Sequence, residues 1–167
     1  MVNTVVIYYS RRGATEALAK AVAEGARKEG AEAVLRRVDY ATAYDLLTAD
    51  TVAFGSPNYF GYMAGTLKDF FDRMWWTFGS YGNLRDKLEG KPAVAFTSGA
   101  GTSDAALLSI EQMMQSFKLR KVADGVVADG AHSDEPYREP SPECIQACER
   151  LGATLVKEVA KVKDPED

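Results

Sequence analysis

The sequence is poor in the residues that build metal centres and disulfide frameworks: 167 residues contain one histidine, His132, and two cysteines, Cys144 and Cys148. The cysteines stand four apart on a predicted helix, with no second cysteine pair or histidine cluster to complete a zinc site. They read as small apolar thiols, and no metal is expected. No apolar run approaches the roughly 20 residues that a membrane-crossing helix requires. Arg11 and Arg12 interrupt the first apolar stretch, so a signal peptide is not expected either. Long basic runs are missing as well. With 20 Lys and Arg against 24 Asp and Glu the net charge is -4, which points away from nucleic acid and toward small-molecule partners. The expectation is a cytoplasmic protein forming one domain over residues 1–167, with only 163–167 as a disordered tail. A hydrophobic share of 46% suffices for a full-sized core at this length.

The most informative stretch is NTVVIYYSRRGATEALAKAVAE, Asn3 to Glu24. Val5, Val6 and Ile7 form the apolar β-branched run of a central parallel strand covered on both faces. An alanine-rich helix is predicted from Thr15, its open amide groups and dipole pointing back into the turn Ser10, Arg11, Arg12, Gly13, Ala14. A phosphate fits there. The same residues also fit a plain strand-to-helix connection capped by Thr15.

Strands are predicted at Asn3–Tyr9, Ala33–Asp39, Thr51–Gly55, Ala93–Ser98 and Lys121–Ala128, and helices at Thr15–Glu29, Tyr44–Leu47, Ala64–Thr77, Asp104–Phe117 and Ser141–Lys163. Ser141 reads as an N-cap with Pro142 at the first helical position. Strict alternation of strand and helix indicates a three-layer α/β domain with right-handed crossovers. The matching strand order is 2-1-3-4-5, which places a ligand at the switch point between the carboxyl ends of strands one and three.

Three segments meet at that point. The first is the phosphate turn. The second, Gly55-Ser56-Pro57-Asn58-Tyr59-Phe60-Gly61-Tyr62-Met63, reads as a loop whose aromatics lie outside a strand and suit a flat heterocycle, with Ser56, Asn58 and the backbone offering hydrogen bonds. The third, Thr97-Ser98-Gly99-Ala100-Gly101-Thr102-Ser103, is small and polar, so its backbone NH groups can come close to a ligand edge. Each alone is also what an ordinary loop looks like; their shared placement carries the argument.

Together these residues resemble the flavodoxin-like FMN proteins, and within them the NAD(P)H:quinone oxidoreductases of the WrbA type. The resemblance runs through VVIYYSRRGATEALAKAVAEGA, GSPNYFGYMAGTLKDFFDR, FTSGAGTSDAALLSI and REPSPE. It implies a flavodoxin-like fold, FMN as cofactor, NAD(P)H as co-substrate and a quinone or similar flat acceptor reduced by ping-pong kinetics. It also implies that Ser10, Arg12, Gly13, Ala14 and Thr15 hold the FMN phosphate. Pro57, Asn58, Tyr59, Phe60 and Gly61 would border the isoalloxazine ring, and Ser98, Gly99, Ala100, Gly101 and Ser103 would meet its pyrimidine side, with Thr97 at the start of that segment. No side chain need act as an essential acid or base.

The chain departs from the pattern at Arg11 and Arg12, where hydroxyls and amides usually suffice. These arginines could clamp the FMN phosphate, attract the 2′-phosphate of NADPH, or face water. A long insertion that some relatives carry between strands four and five is missing, so a homodimer and a homotetramer both stay open. Trp75, Trp76 and Phe78 either wall the substrate pocket or fill the core or a dimer interface. His132 lies in the loop Asp129–Pro140, able to meet a quinone oxygen or simply solvated. The competing reading is a non-enzymatic flavodoxin-type carrier, for which the net charge is mild. A phosphoacceptor receiver domain lacks its acidic residues here, since Ser10 and Gly55-Ser56-Pro57 stand in their places. A dinucleotide-binding domain lacks its Gly-x-Gly-x-x-Gly.

Overall fold

In a computed structural model, residues 1–77, 81–129 and 139–163 are described, the side chains of 75–77, 81–82 and 162–163 excepted. Seven strands form one sheet: β1 (Asn3–Tyr8), β2 (Glu32–Arg37), β3 (Thr51–Tyr59), β4 (Tyr62–Met63), β5 (Pro92–Gly99), β6 (Arg120–Lys121) and β7 (Val126–Asp129). Six helices accompany it: α1 (Ala14–Lys28), α2 (Ala43–Thr48), α3 (Gly65–Thr77), α4 (Tyr81–Leu88), α5 (Ser103–Ser116) and α6 (Pro142–Lys163). The order is β2-β1-β3-β5, with β6 and β7 both pairing parallel to β5, while β4 pairs antiparallel to β3. This is the flavodoxin-like arrangement expected from the alternating pattern.

Three differences from the expected five strands and five helices have local causes. The fifth strand is broken in two, because Lys121 lies 28 positions after its partner Ala93 while Val126 lies 30 after Phe96. Two extra residues therefore bulge out around Asp124-Gly125, where a Cβ on Gly125 would lie 2.6 Å from Leu107. The third strand runs on past Gly55 to Tyr59 and turns back as β4, so the expected aromatic loop is a hairpin. Helix α4 was not expected, since Gly79, Gly82 and Asn83 hide the single apolar pair Leu84 and Leu88, both fully buried. Smaller shifts are the start of α1 at Ala14, one residue before Thr15, and the 3-10 turn Val38–Tyr40 that closes β2 early. The expected tail lies outside the described residues beyond Lys163.

Side-chain alternation divides the core between the two faces of the sheet. Val6, Ala53, Val94 and Phe96 meet Leu18, Val22, Leu151 and Leu155 of α1 and α6. Val5, Ile7, Val52, Phe54 and Ala95 meet Leu46, Leu67, Phe71, Leu84, Leu88 and Ile110 from the other four helices. The edge strand β2 is protected. Glu32 donates its N–H inward to Val2 O, so the next carbonyl, that of Ala33, turns outward, and Arg27 Nη2 donates to it at 2.6 Å.

Helices α1 and α6 cross through two glycines: a Cβ on Gly25 would lie 1.9 Å from Glu149 O, and one on Gly152 would lie 1.9 Å from Val22 O. Both obstacles are backbone, so neither can swing aside. Gly152→Ala should therefore destabilise the protein by about 1–3 kcal/mol, even though alanine is favoured over glycine in a helix by about 1 kcal/mol. Urea denaturation checks this, and a raised midpoint would refute the close crossing.

Candidate functional site

The carboxyl ends of β1, β3 and β5 gather the three segments at the switch point. At the first, Ser10 is buried and its Oγ accepts the Gly13 N–H at 3.0 Å, which closes the turn. Gly13 is the N-cap residue of α1 with φ 105, and no side chain caps the helix. The first intrahelical bond is donated by Ala17 to Gly13 O, so the amides of Ala14, Thr15 and Glu16 have no partner within the helix. Thr15 Oγ1 and Ser98 Oγ lie 2.8 Å apart and buried, joining the first segment to the third. Two hydroxyls that share one hydrogen bond keep one O–H to give.

The second segment is held by its own side chains. Asn58 Oδ1 accepts the Gly61 N–H at 2.9 Å, and its Nδ2 donates to Ala100 O at 2.9 Å and reaches Ser103 Oγ at 3.4 Å. Ser56 Oγ accepts the Ala64 N–H at 2.8 Å and donates to Pro57 O at 2.9 Å, so this hydroxyl serves the fold and not a ligand edge. The hairpin turns at Phe60 and Gly61, both left-handed with φ 57 and 75, as a two-residue turn between right-twisted strands favours. Phe60 is fully exposed at its tip. Gly61 lies against Thr102, whose Oγ1 would be 3.2 Å from an added Cβ.

In the third segment, Thr97, Ser98 and Gly99 still belong to β5, and Ser103 already belongs to α5, which leaves a short turn at Ala100, Gly101 and Thr102. Gly99 has φ 150, and a Cβ there would meet that of Asn58 at 2.7 Å. Thr97 Oγ1 is wholly buried with no hydrogen-bond partner among the described residues.

The rim of the site carries cations and aromatic rings. Arg11 and Arg12 both act on the Tyr59 phenol through their charges. Burial, then the neighbouring Tyr9, pushes the Tyr59 phenol above its ordinary value, while both arginines pull it down. Tyr9 and Tyr59 meet edge to face, with centroids 6.5 Å apart. Arg37, which sequence reasoning missed, lies over the Tyr9 ring at 5.2 Å, donates from Nη1 to Ser10 O at 2.6 Å and pairs through Nε with Asp39 Oδ2 at 2.6 Å. Only the strand order, which puts the end of β2 beside that of β1, could have pointed to it. Asn58 had a clearer signal, because an Asn just ahead of a turn glycine can accept a backbone N–H of that turn.

All seventeen residues expected to hold the cofactor fall on these three segments. Trp76 lies on α3, but its side chain is outside the description, as are Phe78 and His132 altogether. Cys144 and Cys148 lie on α6, away from the three segments, and burial beside Cys144 pushes the Cys148 thiol up to about 12. A separate cavity of about 290 Å³ lies between β2 and α2 and is lined by Asn3 and Thr4, at the amino ends of the strands, where ligands of such sheets do not bind.

An open parallel sheet with an uncapped helix at its switch point defines the class of α/β proteins that bind a mononucleotide beyond the carboxyl ends of the strands. A sequence model of the flavodoxin family matches residues 6–167, and the chain belongs to that family. It is 37% identical to a flavodoxin of Aquifex aeolicus over 96% of this chain and 88% of that one. It is 34% identical to an NAD(P)H dehydrogenase (quinone) of Rhodopseudomonas palustris over 97% of this chain and 99% of that one, in an alignment of 205 positions. A WrbA-like flavodoxin from Agrobacterium tumefaciens superposes with a TM-score of 0.77 at 23% identity, covering 96% and 99% of the two chains. That likeness shows the fold.

The flavodoxin family binds FMN, and the residues present fit that group on two counts. The α1 N-terminus has amides that no side chain caps, beside a glycine that admits close approach. The orphaned Thr97 hydroxyl needs a partner that the described chain does not supply. Among the described residues no helix is long and apolar enough to cross a membrane.

Because the Asn58 side chain joins the hairpin turn to the third segment, Asn58→Ala should lower stability by about 1–3 kcal/mol by leaving the Gly61 N–H and Ala100 O unpaired. It should also speed hydrogen exchange at the Gly61 amide, and unchanged protection there would contradict the assignment.

Proposed function

We propose that the protein is an FMN-dependent oxidoreductase that passes electrons from NAD(P)H to a quinone or a similar flat acceptor. The observation that carries this reading is Phe60. A bulky residue at φ 57 costs on the order of 1–3 kcal/mol, and this one is fully exposed, so packing does not repay the cost. Backbone strain kept by an aromatic at a cleft rim is best explained by a flat partner.

Ser10, Arg12, Gly13 and the amides of Ala14 and Thr15 would hold the FMN phosphate. Pro57 to Gly61 would border its ring, and Thr97 to Gly101 with Ser103 would meet its pyrimidine side. Bound there, FMN would supply the two-electron redox chemistry. The chain's own residues position and polarise. Asn58 fixes the hairpin against the third segment, so the ring's two neighbours cannot drift apart. Backbone NH groups of the turn at Ala100 to Thr102 would stabilise negative charge at the pyrimidine edge, as preorganised donors do. A second planar molecule, NAD(P)H and then the acceptor, would enter in turn beside Tyr59 and Phe60. The names of relatives such as the Rhodopseudomonas NAD(P)H dehydrogenase (quinone) support this reading.

The 37% identity to the Aquifex flavodoxin favours a second reading, an electron carrier that docks on redox proteins. Steady-state oxidation of NADH or NADPH with benzoquinone separates the two. Turnover well above that of free FMN is expected, and its absence would leave the carrier. Phe60→Gly tests the tip directly. It should keep or raise stability by up to about 1 kcal/mol by removing the left-handed strain, while FMN affinity and quinone turnover fall. Unchanged affinity and turnover would remove Phe60 from the site.

A further inference from the structure

The phosphate turn is gripped from outside by a side chain of the neighbouring strand. Arg37 ends β2 and stands in register with Tyr8, the last residue of β1, so its side chain lies beside the point where the chain leaves the sheet. Three contacts fix it there. Nη1 donates to Ser10 O at 2.6 Å, Nε pairs with Asp39 Oδ2 at 2.6 Å, and the guanidinium carbon sits 5.2 Å from the centre of the Tyr9 ring. Asp39 belongs to the short 3-10 turn whose Val38 is wholly buried, so the segment carrying that carboxylate is anchored in the core. Ser10 is thereby held at two atoms. Its carbonyl accepts from Arg37, and its Oγ accepts the Gly13 N–H at 3.0 Å, the bond that closes the turn. Because Ser10 is buried, losing the first bond leaves a carbonyl in need of another partner, and the second bond shifts with it.

We propose that Arg37 is a positioning residue for the phosphate of FMN: it acts through Ser10, holding the turn in the shape that presents the α1 amides, and not by meeting the phosphate itself. The inference rests on the FMN reading above and adds a residue to it. A guanidinium can do this where an ammonium cannot, since its planar fork serves Ser10 O and Asp39 from two nitrogens while it lies over Tyr9. The bond also directs the negative end of the Ser10 carbonyl toward β2 and satisfies it with a cation. A bare carbonyl beside an anion seat would repel the group that the seat has to hold.

The full-length wild-type protein is compared with Arg37→Ala and Arg37→Lys. Dissociation constants for FMN and for riboflavin are read from flavin fluorescence, and exchange of the Gly13 amide is followed by NMR in the flavin-free chain. Arg37→Ala should bind FMN about tenfold more weakly, the worth of one charged hydrogen bond, while riboflavin, which has no phosphate, binds the variant as it binds the wild type. The Gly13 amide should exchange faster, with the Gly61 amide, held by Asn58, unchanged. Arg37→Lys keeps the charge and loses the fork; whatever it recovers, FMN affinity and Gly13 protection should recover together. Riboflavin weakened as much as FMN would overturn the inference, because a general loss of structure moves both. So would weaker FMN binding with an unchanged Gly13 amide, or a lysine variant with full FMN affinity and a fast Gly13 amide, since either would make Arg37 a charge and not a hold on the turn. Unchanged FMN affinity in Arg37→Ala would defeat this inference alone, whereas a wild-type protein that binds no FMN would defeat the cofactor reading beneath it.

Discussion

The site depends on one constraint: a buried parallel strand must turn at once into a helix that packs back on the same sheet. Only Tyr9 to Gly13 lie between β1 and α1, so the first amides of α1 necessarily face the carboxyl ends of the strands. Helix α1 cannot slide away from this position, because Gly25 and Gly152 bring it into backbone contact with α6. Fixing the helix fixes its dipole and its donors. A side-chain cap at Gly13 would meet the same amides and fill the seat, and a left-handed glycine is what stands there. An anion bound there would also cap the helix.

Around that seat the polar side chains divide by role. Ser56 holds the chain entering α3, Asn58 joins the hairpin to the turn at Ala100 and the Thr15–Ser98 pair joins α1 to β5, while Phe60 is exposed. Residues that look like ligand contacts in the sequence thus also serve as ties. A buried Asn amide is more valuable where it satisfies several backbone groups at once than at an open edge where water can replace it. These ties also explain how a hairpin of few residues can carry a strained, exposed Phe60. The strain is held by Asn58 at Gly61 and by the fit of Gly61 against Thr102.

The layout was legible because it follows from periodicity and turn chemistry. Val5 to Ile7 announce a buried strand, Ser10 to Ala14 a turn into a helix, and the alternation of elements the strand order. Less legible were the features decided by tertiary contact. The continuation of β3 to Tyr59 depends on pairing with β5, as Ser56 with Thr97 and Pro57 with Ser98, and nothing local reveals it in Gly-Ser-Pro-Asn. The break between β6 and β7 comes from a two-residue excess that only the register exposes. Arg37 looks like any strand-end charge until Ser10 O and the Tyr9 ring are beside it.

The arginines show how far position can refine charge. In the sequence Arg11 and Arg12 are two adjacent cations in a phosphate turn, and Coulomb attraction alone would assign them to the nearest phosphate. The first-turn amides of α1 are neutral donors, whose hydrogen bonds act at short range and need exact placement. The charges of Arg11 and Arg12 also act on the Tyr59 phenol of the hairpin. A guanidinium on an exposed lip is screened over about 10 Å at ordinary ionic strength, so it discriminates only among groups that come to it directly.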